Sequence, residues 1–256
     1  MTITAVIAEY NPFHNGHAYQ LQKARELTGA DYLVVIMSGD FVQRGAPAIL
    51  DQHVRAELAL LGGADLVLQL PCHFALGSAQ HFARGAVSLL TALGCVDYLF
   101  GSEHGDTAPF LELADVLLHE PEEYRETLSS LLRSGLSFPM ARAQALSAYF
   151  SGSSSFSSLS KEELDTFLKE PNNILGLEYV QALSLLNSRI RPVTIRREGS
   201  GYHDGELIRE TLPSATAMRN LLFSDSQTDL SPLASCMPEA VFPAFQNAVA
   251  SHGLLT

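Results

Sequence analysis

The sequence predicts an α/β fold built on a parallel sheet, and three observations carry that expectation. Short apolar runs recur through the first hundred positions, the first of them rich in β-branched residues. Stretches of helical length and periodicity separate them. Capping residues and glycines mark the boundaries. Strand alternating with helix at this spacing means right-handed crossovers and a sheet covered on both faces.

Each element follows in order. "ITAVIA", residues 3 to 8, reads as a buried strand. A helix runs from about Asn15 to Leu27 and ends at Thr28-Gly29. "DYLVVIMSG" is a second buried strand. "DQHVRAELALLGG" is a helix with Asp51 as its N-cap and a Gly stop. "ADLVLQLP" is the third strand, and "SAQHFARGAVSLLTALG" a helix capped by Ser78. "VDYLFGSE" is the fourth strand. From 106 to 188 the pattern is helical only, with "FLELADVLLHE", "EEYRETLSSLLRSG", "FPMARAQALSAYF" and "GLEYVQALSLLN"; the Ser-rich "SGSSSFSSLS" reads as a loop tip. "RPVTIRR" is a fifth strand, and "PSATAMRNLLF" opens a last helix with Ser214 as its N-cap. From Ser224 onward the pattern is weak. The simplest architecture is a five-stranded Rossmann-like sheet with a helical insertion before its last strand. Residues 1–105 would form the Rossmann-like core, 106–188 the insertion, 189–223 the last strand and helix that complete the core, and 224–256 a helical tail.

Composition narrows the class. The chain has 256 residues, of which 46% are hydrophobic and 17% charged, which supports a sizeable core and argues against disorder. Three isolated cysteines, Cys72, Cys95 and Cys236, form neither a zinc ribbon nor a disulfide framework, so a reduced, cytoplasmic compartment is expected. The N-terminus is too short and uncharged for a signal peptide, and no apolar run reaches the length of a membrane span. A net charge of −12 disfavours non-specific nucleic-acid binding across the surface, although "SRIRPVTIRREG" gathers Arg189, Arg191, Arg196 and Arg197.

"EYNPFHNGH" places His14, Gly16 and His17 where the first strand gives way to a helix. Ligands of open α/β sheets bind beyond the carboxyl ends of the strands. The helix dipole there favours phosphate, Gly16 admits a close approach, and imidazole N–H groups can donate to phosphoryl oxygens as charge builds. Pro12 stiffens the turn. Two plainer alternatives stand beside this one: a zinc pair, for which no third ligand is visible nearby, and a structural pair that caps the helix.

"NPFHNGH" resembles the H-x-G-H signature of the nucleotidyltransferase superfamily, whose members carry a second, Ser/Thr-rich signature ending in Arg late in the chain; "PSATAMR" is similar to it. With "MSGDFVQRGAPAILD", "GGADLVLQLP", "SAQHFARGAV", "FGSE", "EPNNILGLEY" and "GYHD", the resemblance narrows to the bacterial tRNA(Met) cytidine acetate ligase family and covers roughly residues 3 to 222. That resemblance implies an ATP-dependent, adenylate-forming ligase with a nucleotidyltransferase-type fold. Acetate would be activated as acetyl-adenylate, and the acetyl group passed to N4 of the wobble cytidine of elongator tRNA(Met). Members of that family continue past residue 256 into a further C-terminal region.

The resemblance also implies site residues. His14 and His17 would be catalytic. ATP would be held by Ile7, Ala8, Glu9, Tyr10, Asn11, Pro12, Phe13, His14, Asn15, Gly16, His17, Ala18, Tyr19 and Gln20, by Gly101, by Asn172 in preference to Asn173, by Arg196 and Arg197, and by Ser214, Thr216 and Arg219. Mg²⁺ would accompany the triphosphate, held by phosphate oxygens and water; no protein metal ligand is expected. "SGDFVQRG" offers Ser38 and Arg44 toward acetate or pyrophosphate, with Gly39, Asp40 and Gln43 between. Plainer roles remain open: Gly101 as a strand terminator, one of the two asparagines as a helix N-cap just ahead of "ILGLEY", Arg196 and Arg197 as a solvated strand end, Arg44 in a surface ion pair, and "SATAMR" as a cap with a surface Arg. The competing functions are a small-metabolite adenylyltransferase and a non-catalytic nucleotide- or tRNA-binding module.

Overall fold

The structure, a computed structural model, describes residues 1–43, 45–152, 158–197, 214–224 and 229–255. Its sheet is five-stranded and parallel throughout, in the order β3-β2-β1-β4-β5. The strands are β1 (Ile3–Ala8), β2 (Tyr32–Ser38), β3 (Leu66–Leu70), β4 (Asp97–Ser102) and β5 (Arg191–Arg196). The first three crossovers carry α1 (Asn15–Thr28), α2 (Gln52–Leu61), the short α3 (Cys72–Ala75) and α4 (Ala79–Ala92). Asp51 accepts from the N–H groups of His53 and Val54 at the head of α2, and Ser78 caps α4, as the sequence predicts. Gly29 ends α1 with φ of 64°, a left-handed residue that glycine adopts without strain.

Strand alternation sorts the core into two layers. Val34, Ile36, Tyr98 and Phe100 point to the face covered by α4, α5 (Ala108–His119) and α9 (Pro171–Leu185). Leu33, Val35, Met37 and Leu99 point to the other face, where Leu21 and Ala24 of α1 and Leu58 and Ala59 of α2 pack. The helical segment between β4 and β5 also contains α6 (Glu122–Arg133), α7 (Phe138–Gly152) and α8 (Lys161–Phe167). Beyond β5 lie α10 (Ala215–Ser224), a 3₁₀ turn (Ser231–Cys236) and α11 (Phe242–His252), so the tail is helical despite its weak local pattern. Phe245 of α11 and Leu233 of the 3₁₀ turn are fully buried in the second layer.

Two helical boundaries differ from the sequence reading. α9 begins at Pro171, so Asn172 and Asn173 lie inside its first turn rather than ahead of it, and neither is its N-cap; Glu170 holds that position. Proline at the first helical position has no N–H to leave unsatisfied, which is why the helix can start there. α8, with a Ser160–Glu163 capping box, fills a stretch left unassigned.

The strand order sets the site. The chain runs outward from β1 to β3 and then returns to place β4 on the other side of β1. β1 pairs with β2 along its whole length, from Ile3–Tyr32 to Ala8–Met37, but with β4 only at Thr4–Asp97 and Ala5–Tyr98. Toward their carboxyl ends β1 and β4 therefore part, at the point where the winding reverses. A crevice opens there.

Candidate functional site

The crevice is a cleft of ≈ 400 Å³. Its floor is the parted strand ends, with Ile7 and Ala8 from β1 and Tyr98, Phe100 and Gly101 from β4. One wall is Glu9, Tyr10, Asn11, His17 and Gln20; another is Pro171, Asn172, Leu175 and Tyr179 of α9; Arg197, Ala215 and Arg219 close the third side.

The histidine corner is built from backbone donors. His14 is the N-cap of α1, and its Nδ1 accepts the N–H of Gly16 at 3.1 Å. His17 reaches back, and its Nδ1 accepts the N–H of His14 at 3.2 Å. The pair is thus a capping box made of imidazoles. The rings stack at 3.6 Å between centroids, and His17 also lies against Tyr10 and Phe13. Burial, reinforced by the nearby Arg197 guanidinium, drives His14 down to about 3; burial, His14 and Arg197 hold His17 well below the ordinary histidine range. Both rings are neutral at physiological pH. Since each Nδ1 must accept a backbone N–H, each proton sits on Nε2. His17 presents that donor at the cleft wall, and His14, 6% exposed, stacks against it.

Beneath the corner lies a charged hub that the sequence does not single out. Arg55 of α2 is fully buried. Its Nε donates to Leu50 O at 3.0 Å and Nη2 to Ser38 O at 3.1 Å, and the guanidinium also donates to the carbonyls of Glu9 and Gly39. One cation thereby ties together the carboxyl ends of β1 and β2. Burial lowers its pKa, opposed by Asp40, Glu9 and Asp51. Ser38 is sealed in this layer rather than exposed to the cleft. Arg44 lies outside the described residues; its neighbour Gln43 does line the cleft and donates its N–H to Glu9 Oε1 at 2.9 Å.

The late signature meets the early one. Arg219 Nη1 donates to Asn11 O at 2.7 Å, across 208 positions, and Nη2 donates to Thr216 Oγ1 at 3.1 Å. Ser214 Oγ accepts the N–H of Ala217 at 3.0 Å and so caps α10. Arg219 and Ala215 line the cleft; Ser214 and Thr216 stand one step behind.

The paired candidates separate cleanly. Asn173 is fully buried: its Oδ1 accepts the N–H groups of Glu103 and His104, at 3.1 and 3.2 Å, and its Nδ2 donates to Glu170. Asn172 lines the cleft, and its Nδ2 donates to Glu103 Oε1 at 2.6 Å. Glu103 in turn accepts the N–H groups of Asn172 and Asn173, capping α9 from the end of β4. Arg197 crosses Gly101, whose added Cβ would lie 3.2 Å from Arg197 Cγ, and faces the cleft. Arg196 points the other way, against Gly105, as alternation along β5 requires. The four arginines of "SRIRPVTIRREG" do not form one patch. Arg191, bonded to Asp97 at 2.6 Å, sits at the far end of β5, roughly 16 Å from Arg196 at strand rise.

Some of the early segment faces elsewhere. Phe13 is buried against Gly62, and Pro12 lies in the turn behind it. Asn15, Ala18 and Tyr19 line a separate surface groove with Gly62, Gly63 and Pro238, and Asn15 Nδ2 donates to Ser235 O. Among the described residues no group of three or more His, Cys, Asp or Glu is placed to hold a metal ion, and no helix is long and apolar enough to cross a membrane. Cys72, Cys95 and Cys236 are free thiols.

Known proteins share this arrangement. The family described as HIGH Nucleotidyl Transferase matches residues 1–255. A Clostridium acetobutylicum protein named tRNA(Met) cytidine acetate ligase is 45% identical over 252 residues, 98% of this chain and 61% of its own length. Its Clostridium tetani counterpart is 45% identical over 249 residues, 96% and 60%. Two crystal structures of Thermotoga maritima TmcAL, each 40% identical, superpose on the chain. The apo form has a TM-score of 0.92, covering all of this chain and 59% of that one; the form bound with alpha-thio ATP has 0.86, covering 98% and 56%. The chain therefore spans about three fifths of the length of the relatives it matches. With the H-x-G-H corner at the parted strands and a match along its whole described length, this chain belongs to the HIGH nucleotidyl transferase family.

Proposed function

We propose that the cleft binds ATP and joins its α-phosphate to acetate, and that the acetyl group then passes to N4 of the wobble cytidine of elongator tRNA(Met). The observation that carries this reading is the Arg219–Asn11 bond, which draws the two signature helices, α1 and α10, to one opening between β1 and β4. The printed names of the relatives, and the nucleotide in one of the neighbours, support it.

The chemistry asks for positioning and charge stabilisation more than covalent work. A carboxylate oxygen of acetate attacks the α-phosphorus, and the bond to pyrophosphate breaks. N4 of cytidine then attacks the acetyl carbonyl carbon, the bond to AMP breaks, and the N4 proton leaves to solvent. His17, with His14 stacked upon it, offers a neutral Nε2–H donor to the phosphoryl oxygens. Arg197 and Arg219 supply fixed positive charge on the opposite side. Asn172 and the backbone about Gly101 take the nucleoside end, between Tyr179 and the strands. Mg²⁺ would accompany the triphosphate and offset its charge, and Glu9 is the carboxylate among the described residues lining the cleft.

Pyrophosphate exchange into ATP, with and without acetate, tests the reading. Exchange that requires acetate supports it. Exchange that ignores acetate but needs a phosphorylated acceptor makes the protein a small-metabolite adenylyltransferase instead. ATP binding with no exchange leaves only a binding module.

A further inference from the structure

Beside the cleft lies a second, partly open cavity of ≈ 210 Å³, lined chiefly by α4, α7 and α9. α9 is the partition. Asn172, Leu175 and Tyr179, at helical spacing, line the cleft; Leu177 and Glu178 lie on the next stripe and line the cavity. Ile174 of α9 and Ala79 of α4 border both, so the two volumes adjoin.

The cavity walls are mainly apolar, with Phe138, Leu146 and Leu168 among them, and are broken by Ser78 and Gln80 at the start of α4 and by one charged pair. Arg142 Nη1 donates to Glu178 Oε1 at 2.7 Å, with the side chains 11% and 6% exposed. Among the described residues Arg142 has no other hydrogen-bond or ion-pair partner. Arg142 lines the cavity, and no atom of it is among the buried polar atoms without a partner, so its remaining guanidinium donors keep access to solvent or to a ligand. Breaking such a pair is costly, which fixes the guanidinium in place.

The occupant follows from that chemistry. Glu178 cancels the charge of Arg142, so the pair offers directed donors and no net attraction for a second carboxylate. A flat, neutral ring with apolar faces and adjacent acceptors on one edge fits those donors. Cytosine presents such an edge in O2 and N3. Uracil replaces the N3 acceptor with an N–H that would confront the guanidinium N–H groups. We propose that this cavity receives the acceptor cytosine, with Arg142 donating to O2 and N3 and N4 left free for transfer. The assignment rests on the acetyl-transfer reading and names its acceptor subsite.

Saturation-transfer NMR on the chain with cytidine and with uridine tests it, alongside pyrophosphate exchange by the wild type. Cytidine should bind at least about tenfold more tightly than uridine, the scale of one directed hydrogen bond replaced by a confrontation of two donors. Ala143→Met, which fills the cavity and keeps the ion pair, should abolish the cytidine signal. Arg142→Met with Glu178→Leu, which replaces the pair by apolar side chains and so protects the fold, should erase the preference, with an unchanged melting temperature showing that the fold persists. Equal binding of the two nucleosides, no cytidine signal, or a preference that survives both variants overturns the assignment. The exchange result judges the ligase reading separately: acetate-dependent exchange without cytidine binding leaves that reading standing and removes the cavity from it.

Discussion

At the scale of single residues, the two histidines are donors because the backbone makes them so. Each Nδ1 is committed to a main-chain N–H, and burial keeps both rings neutral. His17→Ala should therefore keep the fold, losing one capping bond, yet lower acetate-dependent exchange by at least about a hundredfold. Unchanged exchange would remove His17 from the reaction. The same burial sets an acid limit on stability. Unfolded histidine takes up a proton near pH 6.5, whereas folded His14 resists until about pH 3. Below 6.5 the unfolded state binds more protons, so stability falls with pH through that window, by roughly 3 kcal/mol from His14 near pH 4.5. His14→Asn retains a good N-cap and should lessen the loss between pH 6.5 and 4.5 in urea titrations, with His17 supplying what remains. An identical acid limb in that variant would mean the rings titrate normally.

At the scale of elements, α9 matters most, because it walls both the cleft and the second cavity. It approaches the sheet through Gly176, where a Cβ would fall 2.5 Å from Phe100 and 2.7 Å from Phe110. Gly176→Ala should destabilise by about 1–3 kcal/mol despite the better helix propensity, since two buried rings cannot yield, and should raise the KM for ATP as the wall moves. Neutral stability in urea would show that α9 has room. The elements also show what was legible in advance. All five strands stand out because each is a short run carrying apolar or β-branched residues and bounded by turn residues, and Asp51 and Ser78 announce their helices. The start of α9 was not, because Asn172 and Asn173 look like caps and the true start signal is Pro171. α3 has four residues, too few for any periodicity. The tail helices bury aromatic and aliphatic side chains against tertiary partners that local pattern does not reveal.

At the scale of the whole molecule, function depends on where β1 and β4 part. That separation was foreseeable in kind, from a strand order that reverses at β1, but not in its details. The H-x-G-H corner and the SATAMR segment were readable as motifs; their meeting through Arg219 and Asn11 is a long-range contact that no local spacing encodes. Arg55 was invisible for the same reason, since its four carbonyl partners come from Glu9, Ser38, Gly39 and Leu50. Separating Arg197 from Arg196 likewise needed the fold, because neighbours in sequence face opposite ways; the preference for Asn172 over Asn173 stood on the family resemblance, and the fold adds that Asn172 lines the cleft while Asn173 is buried. The most direct measurement is a crystal structure of the protein with a non-hydrolysable ATP analogue. The triphosphate should lie between β1 and β4, within hydrogen-bond reach of His17 Nε2 on one side and of Arg197 and Arg219 on the other. A nucleotide bound elsewhere, or one touching only one of the two signature segments, would contradict the account.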